Sequence, residues 1–239
     1  MDMAAAGAQP RTLADFKDYL LDCGAAVVGV ADLTALPAER RCGFPRAVSI
    51  GMALPPDPIL HLRRRRQRPA DSERPIQAAL AELARLALQY LAALGHRAEV
   101  LTPAPGTPAL THDEVAVLAG VAWIGKSSRP VNWDFGSAVR LTTVLTDADL
   151  AADKPVDTTF CGTCLVCTQA CIAHAPSGNL WHRGEPLKDF FNQDACNERR
   201  EKLAALGLDC RVCMSVCPYT TVYMLHSGID VPNDDESPT

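Results

Sequence analysis

The run Cys161-Gly162-Thr163-Cys164-Leu165-Val166-Cys167-Thr168-Gln169-Ala170-Cys171 decides how this chain is read, together with its shorter echo Cys210-Arg211-Val212-Cys213-Met214-Ser215-Val216-Cys217-Pro218. The first follows a Cys-x-x-Cys-x-x-Cys-x-x-x-Cys pattern and the second a Cys-x-x-Cys-x-x-x-Cys pattern, with Cys196 alone between them. Eight of the ten cysteines thus fall in the last third of the chain, the number that two [4Fe-4S] cubes require when each is held by four thiolates.

Two residues between cysteines let a tight turn aim successive sulfurs at different irons of one cube. The fourth cysteine of such a run ligates the other cube in two-cluster ferredoxins. On that rule Cys161, Cys164 and Cys167 form the first ligand set with Cys217, and Cys210, Cys213 and Cys196 form the second with Cys171. The first run departs in one respect, carrying Ile172 where a proline is usual after the last cysteine. Disulfides would need an oxidising compartment, and the stretch from Met1 to Phe16 has no cationic start followed by an apolar run, so it does not read as a secretory leader. Zinc sites usually show paired Cys-x-x-Cys knuckles instead. A reducing cytoplasm is the expected compartment.

At 239 residues the chain has room for one large domain or two modest ones. Its composition, 48% hydrophobic and 21% charged, is that of a soluble protein. A net charge of −5 argues against a dominant nucleic-acid surface, and no apolar run is long enough to span a bilayer.

Working outward from the cysteines, the periodicity predicts a helix from Thr12 to Cys23, with Cys23 on its apolar face. Strands follow at Ala25 to Val30 and at Ala47 to Leu54, the second closed by Pro55, Pro56 and Pro58. His61 to Pro69 reads as a basic loop, and Pro75 opens the strongest helix, which ends at Gly95. Arg97 to Leu101 is a short strand, and Pro103 to Pro108 is a loop. A short helix capped by Thr111 and Glu114 runs to Gly120. Trp123 to Gly136 reads as irregular, Val139 to Thr146 as a strand, and Asp147 to Pro155 as a polar linker. Separated helices and strands of this kind predict an α+β domain over residues 1–154. A cluster module over 155–225 and a disordered acidic tail over 226–239 follow it.

One further stretch is distinctive. Ala119-Gly120-Val121-Ala122-Trp123-Ile124-Gly125-Lys126-Ser127 is followed by Asn132-Trp133-Asp134-Phe135-Gly136-Ser137 and by a strand ending Leu145-Thr146-Asp147. With the double cysteine run after it, this order resembles the epoxyqueuosine reductase family, cobalamin-dependent relatives of the reductive dehalogenases. The resemblance covers roughly residues 12 to 222. It implies a nitroreductase-like α+β domain, a bacterial-ferredoxin-like module with two [4Fe-4S] clusters, and a corrinoid that receives their electrons. Gly120, Trp123, Gly125, Lys126 and Ser127 match the family motif and are the corrinoid-side candidates: glycines for close backbone approach, Trp123 as a flat wall, Lys126 for a phosphate. Equally open is a plainer reading, with Trp123 in the core and Lys126 a solvated charge.

Two departures stand out. The family places an acid before the short helix, whereas Thr102-Pro103-Ala104-Pro105-Gly106-Thr107 has none. The motif also reads Gly-Val-Ala-Trp in place of Gly-Leu-Gly-Trp. The chain further reads as a short form without the family's C-terminal helical repeats. His112, Asp113 and Glu114 are the weak candidates for the missing acid, although acids in a first helical turn also suit the helix dipole. The run Arg63, Arg64, Arg65, Arg66 and Arg68 suits an anion or an acidic electron donor, or simply solvent. Cys42, beside Arg40 and Arg41, reads as without a role. His174 and His182 are not needed as ligands.

The expected function is an iron–sulfur oxidoreductase fed by an electron donor such as a ferredoxin or flavodoxin. A small molecule is then the substrate, and neither tRNA nor a membrane is expected as a partner. The alternative is a ferredoxin-like electron carrier or adaptor with no cofactor beyond its clusters.

Overall fold

A computed structural model describes residues 12–65, 68–69, 71–102 and 110–231. The Pro103 to Pro108 loop with its missing acid, Arg66 and the tail beyond Val231 lie outside the described residues. In chain order the elements are α1 (Phe16–Asp22), β1 (Val27–Asp32), β2 (Arg46–Ala53), α2 (Pro56–Arg65), β3 (Arg68–Pro69), α3 (Arg74–Ala93), β4 (Ala98–Val100) and α4 (His112–Leu118). They continue with β5 (Trp123–Ile124), β6 (Pro130–Val131), β7 (Val139–Thr146), α5 (Val166–Ala170), α6 (Gln193–Ala204), β8 (Leu208–Asp209), α7 (Val212–Ser215) and α8 (Pro218–His226). The chain is α+β.

The centre is a four-stranded antiparallel sheet in the order β1-β2-β7-β4. Alternation along the strands divides its side chains between two cores. Val30, Val48, Ile50 and Val144 face α3, meeting Leu83, Ala87, Tyr90 and Leu91. Ala31, Ala47 and Leu145 face α4, meeting Leu110, Val115, Ala116 and Ala119. A Cβ on Gly29 would run into the Ala119 carbonyl, so glycine there lets the end of α4 lie directly on β1.

Several sequence expectations change. α1 starts at Phe16 because Thr12 does not act as its cap: the Thr12 hydroxyl donates to Asp15 Oδ2 at 2.6 Å. Cys23 is not buried filler. It follows the last helical residue and is exposed. The first part of the expected basic loop is the last turns of α2, which begins at Pro56. Proline costs nothing in a first turn, where its missing N–H has no partner to lose, and Ile59 and Leu62 bury the inner face. Asp147 to Pro155 is not a free linker. Ala148 and Leu150 enter the α3-side core, and Asp153 accepts from Val30 N at 2.7 Å and from Lys17 Nζ. Trp123 to Gly136 is a small hairpin, β5 pairing with β6.

The cysteine-bearing region packs against this domain along several elements. β3 pairs with β8, and Tyr223 of α8 donates to the Leu54 carbonyl at 2.9 Å. Leu54, Ile59, Leu62, Ala138, Met214 and Met224 form a common core beneath α2, α7 and α8. Arg63 bridges the same seam, donating to Thr221 Oγ1 at 2.9 Å. This member of the arginine run therefore ties helices together.

Candidate functional site

The cysteines reach their places by local backbone design. Cys164 N donates to the Cys161 carbonyl at 3.0 Å, closing the first turn. Cys167 rides on α5 and Cys171 ends it. Cys213 rides on α7, Cys196 on α6, and Cys217 is the N-cap of α8. Helices α5 and α7 pack together, bringing the two runs side by side. All eight thiols are free and half-buried.

Their mutual electrostatics sort them. Burial pushes the Cys167 thiol up to about 12, and Cys213, Cys161, Cys217 and Cys164 add to the effect. Burial raises Cys217, opposed by the N–H groups of Thr220 and Tyr219, with Cys161 and Cys164 as its thiol neighbours. Burial carries Cys213 to about 11 against the pull of Arg129, and its thiol neighbours are Cys210, Cys171 and Cys196. Cys196 is raised by burial, opposed by Arg129 and Arg200, with Cys171 and Cys210 nearby. Cys171, Cys196, Cys210 and Cys213 line one cavity, and Cys213, Cys161, Cys217 and Cys164 lie within electrostatic reach of Cys167. Cys167 and Cys213 lie where the two groups meet.

Thiols crowded and raised in this way stay protonated unless a cation takes the proton's place. Among the described residues no three His, Cys, Asp or Glu side chains converge on a point fit for a single metal ion. A cube of iron atoms takes one thiolate at each of four corners, and eight free thiols are enough for two. N–H groups already point at the sulfurs. Besides those at Cys217, Ala175 N donates to Cys171 Sγ at 3.5 Å.

The Gly120 to Ser127 motif serves this region more directly than any open cavity. Gly120, at φ +69°, ends the α4 segment, and a Cβ there would lie 2.6 Å from the Lys154 carbonyl. A Cβ on Gly125 would come within 2.9 Å of Val131 and 3.5 Å of Cys161 Sγ. Trp123 is fully buried, its ring edge-on to Trp133, Phe160 and Tyr219, and among the described residues its Nε1 finds no hydrogen-bond partner. Lys126 is buried rather than solvated, and its Nζ donates to the Cys164 carbonyl at 3.0 Å. Ser127 lines a small apolar cavity together with Cys171, Cys196, Cys210 and Cys213.

A cleft of about 880 Å³ opens on the other side of the motif. Thr111, Asp113 and Glu114 at the start of α4 form one wall, and Ile124, Ser128, Trp181 and Phe190 form another. Trp181, Phe190 and Phe191 pack in turn against Cys171 and Cys196, so this wall separates the cleft from the second cysteine set. The three candidate acid–base residues part company here. Glu114 is held by Arg40 at 2.8 Å, so its carboxylate does not complete the expected capping box, although Thr111 Oγ1 accepts from Glu114 N at 3.1 Å. His112 Nδ1 shares a 3.0 Å hydrogen bond with Thr143 Oγ1, and burial lowers its pKa. Asp113 faces the cleft with its carboxyl raised by burial, against the pull of Arg129, His112, Arg140 and Arg211.

Sequence reasoning passed over the arginines of this region. Arg129, Arg199, Arg200 and Arg211 line the cavity of the second cysteine set. Arg200 donates to Asp209 at 2.9 Å and Arg211 to the same carboxylate at 3.2 Å. Asp209 would be raised by burial, but these partners hold it down to about 2. Glu73, buried, pairs with Arg140 and lies 4.0 Å from Arg211, whose pKa burial pushes down to about 10. The sequence held a signal: Arg199 and Arg200 follow Cys196 by three and four residues on one helix, and Arg211 follows Cys210 directly.

No family model matches the chain. An epoxyqueuosine reductase of Lactococcus garvieae is 32% identical over 116 residues, 47% of this chain and 33% of that protein. The tetrachloroethene reductive dehalogenase of Sulfurospirillum multivorans is 32% identical over 124 residues, 48% of this chain and 25% of the relative. The matched stretch therefore spans about a third of the length of such curated relatives. Among solved structures, an epoxyqueuosine reductase with an epoxyqueuosine-modified tRNA stem loop superposes with a TM-score of 0.57 at 18% identity, over 87% of this chain and 65% of that one. A reductive dehalogenase described for B12-dependent dehalogenation gives 0.66 at 16% identity, over 90% and 33%.

These findings overturn the expectation that tRNA is not a partner class, since relatives are named epoxyqueuosine reductases and one such structure holds an epoxyqueuosine-modified tRNA stem loop. Net charge is a poor guide to such a partner class because it averages over the whole surface, whereas phosphate contacts are local. Among the described residues no helix is long and apolar enough to cross a membrane. In sequence and in fold alike, the chain is similar to the epoxyqueuosine reductases, with reductive dehalogenases among its relatives.

Proposed function

We propose that this protein is an iron–sulfur, corrinoid-linked reductase of the epoxyqueuosine-reductase-like kind, working in the reducing cytoplasm. The observation that carries the reading is eight free, half-buried thiols, four of which line one cavity that shares a wall with a cleft of about 880 Å³. Cys161, Cys164, Cys167 and Cys217 would hold one [4Fe-4S] cluster, and Cys171, Cys196, Cys210 and Cys213 the other. The finer fold reading goes with this: a nitroreductase-like domain over residues 1–154 and a ferredoxin-like double-cluster module over 155–225.

The cleft is the place with room for a corrinoid, and a reduced corrinoid supplies a strongly reducing cobalt centre. Ile124, Trp181 and Phe190 give the apolar wall that a broad ring needs. Gly120, Gly125 and Lys126 act one layer back, shaping the segment between cleft and cysteines, with Trp123 filling the core behind it. Asp113 is the proton donor of choice among the three candidates. Its raised carboxyl keeps its proton at a pH where an ordinary aspartate has lost it, and it gives that proton up as pH rises through the shifted value. Electrons come from a ferredoxin or flavodoxin. The named relatives make an epoxide on tRNA and an organohalide the substrates to test. A bare electron carrier would have no use for such a cleft.

The deciding experiment is anaerobic metal and cofactor analysis after loading with iron and sulfide. About eight irons per chain and a perturbed cobalamin spectrum on mixing are expected. Protein that holds iron but leaves the cobalamin spectrum untouched would remove the corrinoid from the proposal. Failure to restore queuosine in a reductase-deficient strain would remove tRNA.

A further inference from the structure

The two cysteine sets meet very different charges. Four arginines, Arg129, Arg199, Arg200 and Arg211, line one cavity with Cys171, Cys196, Cys210 and Cys213. They come from three separate places: the loop after Ser127, helix α6, and the turn after β8. Asp209 answers Arg200 and Arg211. Arg199 Nε is buried with no acceptor, and among the described residues no carboxylate pairs with Arg199 or Arg129. Even with Asp209, Glu73 and Asp113 in reach, four guanidiniums leave net positive charge beside these cysteines, and such surroundings suit an anionic occupant. The first set has one buried cation, Lys126, against these four. Thiols neighbour Cys167 and Cys217, and the nearby donors are the Tyr219 and Thr220 N–H groups and Lys126, spent on the Cys164 carbonyl.

We propose that Arg129, Arg199, Arg200 and Arg211 form a cation cage that stabilises the reduced state of the cluster held by the second cysteine set, making it the better electron sink of the two. The proposal rests on the two-cluster reading above. One electron from a low-potential ferredoxin- or flavodoxin-type donor enters. The donor is oxidised by one electron and the cluster reduced by one, and no bond forms or breaks. The cluster's negative charge grows by one, and the fixed guanidiniums lower the free energy of that added charge, raising the potential. The cage lies on the side of the wall formed by Phe190, Phe191 and Trp181, so the favoured resting place for the electron is the one beside the cleft. Arg129, which also acts on Asp113, sits between the two.

The test is a potentiometric EPR titration of the full chain, loaded anaerobically, with Cys196→Ser used to assign the second signal. Arg129→Gln and Arg199→Gln remove charge while keeping much of the shape. Each should lower the second midpoint potential by a tenfold change in the reduced-to-oxidised ratio, about 59 mV for one electron. The first potential should stay in place, and Arg199→Lys should restore most of the second. Potentials that do not move, or that move together, overturn the cage. If a Gln variant cannot hold the second cluster, Arg129→Lys and Arg199→Lys decide: iron kept at near-native potential supports the cage, and iron lost overturns it. Wild-type protein with no cluster signal would instead sink the underlying two-cluster reading.

Discussion

Around Cys161, Cys164 and Cys217 the neighbours are rings: Tyr219 lies in electrostatic reach of all three, and Trp123, Trp133 and Phe160 extend the stack outward. Around Cys171, Cys196, Cys210 and Cys213 guanidiniums join the rings of Trp181, Phe190 and Phe191. Aromatic rings exclude water and carry no net charge, so they favour the cluster state with less charge. Guanidiniums favour the state with more. Two cysteine groups are thus set apart by their surroundings. The difference also has a direction, for Trp133 and Phe160 are about half exposed, whereas the arginine cage backs onto the cleft wall.

The harshest way to break this contrast is to remove a ligand from one side only. Cys196→Ser should cost one cluster, or convert it, while the ring-lined one keeps its EPR signal. Eight irons with both signals unchanged would show that Cys196 holds nothing. Nearly as severe, and aimed at the other side, is Gly136→Ala. Gly136 sits at φ +57°, and a Cβ there would collide with the backbone N and the hydroxyl of Thr220, which accepts from Ser137 N at 2.9 Å. Strain at a left-handed position and overpacking add, so a loss of about 3 kcal/mol is expected in urea unfolding. Because α8 begins at Pro218, just after Cys217, the displaced helix should loosen the first cluster before the second.

What the sequence could and could not show follows from the same physics. Cysteine spacing within a run is a local property, so the patterns of Cys161 to Cys171 and Cys210 to Cys217 are plain in the sequence. The central strands were legible too, because β2 and β7 alternate between two cores and fill eight residues each. The arginines were not, since a loop, a helix and a turn supply them and only tertiary packing brings them to one cavity. Attention went instead to the consecutive run from Arg63, which is conspicuous in sequence, yet Arg63 is committed to Thr221. Helix α2 was hidden by Pro56 and Pro58, which end a strand and start a helix equally well. Trp123 and Lys126 were placed on a motif that could face a ligand or the core. The choice depended on Phe160 and Cys164, far along the chain.

A middling effect is expected from Asp209→Ala, which strikes the arginine side without touching a ligand. Asp209 is almost fully buried and bonds to Arg200, Arg211 and the Cys210 N–H, the last at 2.8 Å. Removing one member of a buried ionic group leaves its partners uncompensated, at about 3 kcal/mol. Urea midpoints under anaerobic conditions would show it. The same change unbalances the cage toward positive charge, so the second cluster's potential should rise even as the fold weakens. Stability and potential moving in opposite directions would separate the electrostatic role from mere loosening. A potential that fell along with stability would point to solvent entry instead.

The gentlest probe belongs to the rings. Trp133 is 43% exposed, with its ring 4.8 Å from that of Trp123 and 5.8 Å from that of Phe160. Trp133→Ala gives up one edge contact and part of its burial, about 1 kcal/mol in urea unfolding. Trp123, fully buried, still keeps Tyr219 and Phe160, so the first set is thinned rather than opened. Water reaching closer to the first cluster stabilises its more charged state, and its potential should rise slightly. The arginine-lined cluster, on the far side of Cys167 and Cys213, should not respond. Equal shifts at both clusters would mean that the rings and the guanidiniums belong to one shared environment, and the contrast between the two sides would be lost.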